Sequence, residues 1–131
     1  MDIFSVFGIR GRSKEVNQFD DVLRMSGLEP EVVPFALKLA TIKLLKETNS
    51  EKAFSLDDEV IANVAQFISY SILGPDTYKA ENGPGALETI ENQLKKAIEL
   101  GDNLNARVMM LALLSKVIHP KVMEKFDLSI D

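Results

Sequence analysis

Hydrophobic and polar positions along this chain repeat with the period of an α-helix, in blocks divided by glycine and proline. The first block spans about residues 14–26. Val16, Phe19, Val22 and Leu23 fall on one side, and Asn17, Asp20, Asp21 and Arg24 on the other. Ser13 suits its N-cap and Gly27 its stop. The second block opens at Pro30 or Pro34 and runs to about Glu47. Its apolar residues Phe35, Leu37, Leu39, Ile42, Leu44 and Leu45 leave no clean polar face; Lys38, Lys43 and Lys46 interrupt at separate angles, with stems able to lie along apolar surface. The third, about 56–73, buries Val60, Ile61, Val64, Ala65, Phe67, Ile68 and Ile72 and turns Glu59, Asn63, Gln66 and Tyr70 outward. The fourth, about 86–100, has a narrow stripe of Leu87, Ile90, Leu94, Ala97 and Ile98. This is an outer helix, with Glu91 and Lys95 correctly spaced to pair.

The fifth block, Leu104–Ile118, is apolar over more than half its circumference. Met109, Met110, Leu111, Leu113, Leu114, Val117 and Ile118 form the broad face, and Asn105, Ala112 and Lys116 a narrow polar or small stripe. Surface helices of monomers carry a narrower apolar band. The pattern therefore marks this helix as the centre of the bundle or as half of an oligomer interface. Gly101 precedes it, and Asp102 or Asn103 caps it. Pro120 starts a last short helix carrying Val122, Met123 and Phe126. Residues 48–55 read as a linker, with Ser55 and Asp58 resembling a capping box. Residues 74–85, with three glycines and two prolines, read as the longest irregular stretch, with one helical turn over Asp76–Glu81.

The expected architecture is all-α: one domain over residues 1–131, an arm at 1–12 and a bundle of about five main helices at 13–131, with short extra helical turns at both ends. A chain of 131 residues can bury a sizeable core. It contains no cysteine, which removes disulfides and thiolate chemistry and fits a reducing compartment. Apolar residues precede basic ones at the start, the reverse of a secretory signal, so a cytoplasmic location is expected. No apolar run is long enough for a membrane-spanning helix. The net charge of −5 is concentrated in residues 47–101, which carry four basic and ten acidic side chains. An acidic middle repels phosphate backbones, so no nucleic-acid partner is expected.

Few residues suggest chemistry. His119, the single histidine, sits beside a proline at a helix end, where the helix dipole favours a cation. No glutamate stands three residues before it, so the Glu-x-x-His pattern of bundle di-metal sites is missing. The run Asp57-Asp58-Glu59 complements a helix N-terminus, since adjacent helical residues do not converge on a metal. Gly83-Pro84-Gly85 lacks the phosphate-loop pattern. Residues 22–33 have helix-turn-helix spacing, but the second helix carries Glu29 and Glu31 where a DNA reader needs donors. No cofactor and no catalytic residue is assigned.

Arg107 is more informative, since it lies within the apolar arc of the fifth block and near its N-terminus, where a cation is unfavourable. An ion pair, a bound anion or a partner carboxylate would compensate it. Ile3, Phe4 and Phe7 make the arm apolar, able to pack on its own bundle or in a neighbour's groove. Arg107, Ile3, Phe4 and Phe7 are therefore the candidate contact residues. The expected function is a non-enzymatic protein–protein interaction or assembly module, its expected partners being further copies of itself or another protein. The alternative is a bundle that holds an apolar or carboxylate small molecule.

Overall fold

A computed structural model of the chain describes residues 14–48, 58–101 and 103–128. The fold is all-helical. The helices are α1 (Lys14–Met25), α2 (Phe35–Thr48), α3 (Asp58–Leu73), α4 (Pro75–Asn82), α5 (Pro84–Leu100), α6 (Leu104–Leu114) and α7 (Pro120–Lys125), with a 3-10 turn at Pro30–Val32 between α1 and α2. The 1–12 arm, Ser13, most of the 48–55 linker and Asp102 lie outside the described residues.

The hub is α3, not the Leu104–Ile118 block. It packs against α1, α2, α4, α5 and α6. Ile61, Val64, Ala65, Phe67, Ile68, Ser69, Tyr70 and Ser71 are all buried, so its C-terminal half is covered on every side. A helix apolar nearly all round needs such a position. Tyr70, expected to face outward, lies inside because α4, α5 and α7 close over it. Its ring meets Tyr78 edge-on at 5.6 Å and Phe126 at 6.4 Å, and its hydroxyl donates to Glu91 Oε2 at 2.7 Å. Glu91 also accepts from Lys125 Nζ at 2.9 Å, so its partners come from other helices rather than from Lys95.

Helix boundaries follow the punctuation. At the end of α1, Leu28 N–H donates to Leu23 C=O (2.9 Å) and Gly27 N–H to Arg24 C=O (3.1 Å), the paired bonds of a Schellman motif, with Gly27 at φ 96°. Leu23 and Leu28, which that motif brings together, are both buried. Asn103 caps α6: its Oδ1 accepts from Ala106 N–H, and its Nδ2 donates to Ala97 C=O at the end of α5.

Two boundaries differ from the sequence expectation. The 74–85 stretch is no loop but α4 and the first turn of α5, parted by Gly83. Pro75 and Pro84 each stand in a helical first turn, where a missing N–H costs nothing. Gly74 and Gly83, at φ 88° and 96°, make the corners. A Cβ on Gly74 would also lie 2.8 Å from the His119 ring, so a side chain there is excluded twice.

The second difference is α6, which ends at Leu114 rather than Ile118. Lys116 adopts φ 59°, and the chain turns so that His119 N–H donates to Ser71 C=O of α3 at 2.7 Å. His119 is thus the N-cap of α7, its Nδ1 accepting from Lys121 N–H at 3.0 Å, rather than a residue at a helix C-terminus.

Polar side chains also lie inside. Asp20, which the periodicity places on the outer face of α1, pairs instead with Lys38 of α2 at 2.7 Å, and both side chains are almost fully buried. Neither charge can face water, because α2 crosses α1 at that level. Ser26 and Ser69 hydroxyls meet at 2.8 Å between α1 and α3, and Asn82 Nδ2 of α4 donates to Ser26 C=O at 2.9 Å.

These observations make two predictions. Lys38→Met strips the ammonium from a buried carboxylate and lowers unfolding stability by about 3–5 kcal/mol, whereas Asp20→Leu/Lys38→Met recovers most of the loss; chemical denaturation of both variants reads the difference. Lys116→Gly relieves left-handed backbone strain of about 1–2 kcal/mol against a smaller entropic cost, raising stability by about 0.5–1 kcal/mol in the same assay.

Candidate functional site

On α2 and on α6, apolar side chains remain uncovered among the described residues. On α2, the buried Leu37, Lys38, Thr41, Ile42 and Leu45 face the interior. Lys43 and Glu47, four residues apart, are neighbours on the flank of α2 toward α6, whereas Phe35 lies about 120° round the helix from Glu47. Phe35 is 44% and Leu39 46% exposed. On α6, Val108, Met109, Ala112 and Leu113 turn inward. Met110 and Leu114, spaced i,i+4, stay 53% and 61% exposed. Ala112, assigned from periodicity to the narrow polar or small stripe rather than to the broad apolar face, is fully buried. The inward face of α6 is thus displaced from the one expected, and part of its broad apolar arc is left outside.

Between these edges runs a groove of about 390 Å³, lined by Ala40, Lys43, Leu44, Glu47, Arg107, Met110 and Leu111. Its apolar wall comes from half-buried Leu44 and Leu111 beside Met110. The small side chain of Ala40 leaves the two helices room to part. The rim carries both signs: Lys43 and Arg107 are cationic, and Glu47 is anionic. Arg107 is exposed at this rim rather than enclosed. The structure therefore places one of the four candidate contact residues, Arg107, on the uncovered face. Ile3, Phe4 and Phe7 lie outside the described residues. Ala40, Leu44, Met110 and Leu111 line the same groove. The breadth of apolar positions in α2 and α6 signalled an excess, but periodicity alone could not say which of them stay uncovered.

Two other concavities are less suited to binding an apolar partner. One, of about 440 Å³, lies between α3, α5 and α6 and is edged by Asn63, Gln93, Lys96, Asn103 and Asn105 over Val60, Val64 and Ala97. Asn103 is already committed to capping. The other, of about 300 Å³, is bordered by Gln66, Tyr78, Asn82, Thr89 and Gln93.

The titratable cluster under α7 is structural. Burial first, and then the Glu91 carboxylate, push the Tyr70 phenol far above its usual range, so it acts as a permanent hydrogen-bond donor. Burial also raises Tyr78. At the surface, Lys121 lies 2.6 Å from Asp76 and its hydrogen bond holds that carboxyl below the usual range. Together these contacts fasten α7 to α4 and α5.

Among the described residues, no group of three or more His, Cys, Asp or Glu side chains converges to hold a metal ion. No helix among them is long and apolar enough to cross a membrane. Comparison with protein-family models, with curated proteins and with solved structures finds no match to this chain, so its function is argued from the α2/α6 face alone.

Proposed function

We propose that this chain is a non-enzymatic assembly module of a reducing compartment, and that its α2/α6 face pairs with the same face of a second copy. The observation that carries this reading is the groove between α2 and α6, walled by Leu44, Leu111 and the 53% exposed Met110, with Leu114, 61% exposed, one turn further along α6. Contiguous exposed apolar surface with a polar border is the usual mark of a protein interface. The rim charges favour a like partner. In a two-fold pairing each surface meets itself in reverse, so Glu47 of one copy can approach Lys43 or Arg107 of the other. A partner face of one sign would leave one rim charge opposed.

The same groove supports a second reading: a small amphipathic carboxylate lying along Leu44 and Leu111, with its head group at Arg107. A volume of about 390 Å³ lies in the range of ligand clefts. Native mass spectrometry of freshly purified protein separates the two readings. A retained small molecule favours the ligand, and a bare polypeptide counts against it.

Sedimentation of the full chain across a concentration series into the high micromolar range is expected to show a reversible monomer–dimer equilibrium. Met110→Glu and Leu114→Glu each weaken it about tenfold or more, by placing a charge in the interface core. Because both positions are exposed, thermal stability of the monomer stays within about 0.5 kcal/mol of wild type. Arg107→Ala weakens association a few-fold and flattens its salt dependence. A wild-type chain that remains strictly monomeric throughout the series overturns the self-association reading.

A further inference from the structure

The last helix, α7, is fastened to the bundle mostly by its charged side chains. It is six residues long, too short to hold its turns in isolation. Val122 is its one fully buried side chain; Met123 is half-buried, and Lys121, Glu124 and Lys125 are exposed. Lys121 pairs with Asp76 of α4 at 2.6 Å, where both side chains are mostly exposed. Lys125 pairs with Glu91 of α5 at 2.9 Å. Exposed pairs of this kind contribute little and are screened by salt. Glu91 is the centre of the fastening. One of its oxygens accepts from the Tyr70 hydroxyl of α3 and the other from Lys125, so a single carboxylate ties the hub to α7. The C-cap of α7, the half-buried Phe126, meets the Tyr70 ring edge-on. The opposite end is held more firmly. There His119 N–H donates to Ser71 C=O at 2.7 Å, and the ring lies against Gly74.

We infer that α7, together with Phe126, is a lid that opens about His119 while the rest of the bundle stays folded, and that Glu91 is its latch. Opening lifts the Phe126 ring from Tyr70 and gives water access to the Tyr70–Glu91 pair. Val122 must leave the core in the same motion, which keeps the closed form dominant. Local opening of a short, sparsely buried segment nevertheless costs less than unfolding the whole domain. Asp76, Glu91, Lys121 and Lys125 do not line the α2/α6 groove, so the lid is independent of the self-association reading.

The chain has two tyrosines and no tryptophan, so Tyr78→Phe leaves Tyr70 as its one strong emitter. In the full-length Tyr78→Phe protein, quenching of Tyr70 by acrylamide is expected to be weak at low salt. It is expected to rise several-fold in about 0.5 M sodium chloride, with helicity unchanged by circular dichroism. Adding Glu91→Gln, whose amide cannot accept from both Tyr70 and Lys125 through its nitrogen, is expected to give the same rise at low salt. Hydrogen exchange of Glu91→Gln is expected to be several-fold faster over residues 120–128 and unchanged in α3 and α6. The chain has no cysteine, so Asp76→Cys/Lys121→Cys can be joined by a short bis-maleimide. That link is expected to abolish the salt response. Quenching that neither salt nor Glu91→Gln alters overturns the inference. A response to salt without one to Glu91→Gln overturns the latch. Faster exchange spread equally over α3 and α6 shows general loosening and overturns the lid. A salt response that persists in the linked protein places the opening elsewhere and overturns it too. If Glu91→Gln does not fold, the salt series and the linked protein decide between the same outcomes.

Discussion

A helix whose last turns are covered on every side can exist in water only if other helices enclose it, and the stretch Phe67–Ser71 of α3 imposes that condition on the bundle. The sixteen residues of α3 include the fully buried Ile61, Ala65, Phe67, Ile68 and Tyr70, which point in different directions around the axis. Each direction requires a separate neighbour. The α1 helix covers one side with Val16, Phe19 and Leu23, and α6 another with Val108, Met109 and Ala112. The short α4 and α7 exist largely to close the end where Tyr70 lies. Three polar pairs that the packing traps among the described residues are matched. Tyr70 meets Glu91, Ser26 meets Ser69, and Asp20 meets Lys38. Matching is obligatory, because an unpaired polar group at such depth costs more than its hydrogen bond contributes.

Enclosing α3 uses up the inward faces of α2 and α6 but not their whole apolar surface. Each of these helices can present only a limited arc to α3 and to the other, and the remainder faces outward as Phe35, Leu39, Met110 and Leu114. The functional proposal is thus a consequence of packing geometry: the apolar groups that the core cannot accept become the surface available to a second polypeptide. The rim of the α2/α6 groove carries the mixed charges of Lys43, Glu47 and Arg107.

Three side chains capable of proton transfer are tied into structural contacts. Tyr70 is held protonated and buried, His119 Nδ1 accepts the cap bond of α7, and Glu91 is bound by two donors. None of them opens onto the α2/α6 groove, whose lining contains no histidine or tyrosine.

What the sequence determined by itself was local. Helical period, proline in first turns and glycine at stops depend on neighbours a few residues away, and they located α1, α2, α3, α5, α6 and α7 to within a few residues. Glycine–proline pairs misled at 74–85, because the same residues serve a loop or a sharp corner between two helices, and only the presence of α3 beneath made the corner favourable. The end of α6 was set by a bond from His119 to Ser71, nearly fifty positions earlier, which no local pattern contains. The tertiary structure also decided the fate of individual side chains. Tyr70 and Asp20 went inside, while Met110 and Leu114 stayed out. A period of 3.6 residues specifies which side chains share a face of a helix. Whether that face meets water or protein depends on helices distant in the chain, and that distinction creates the groove.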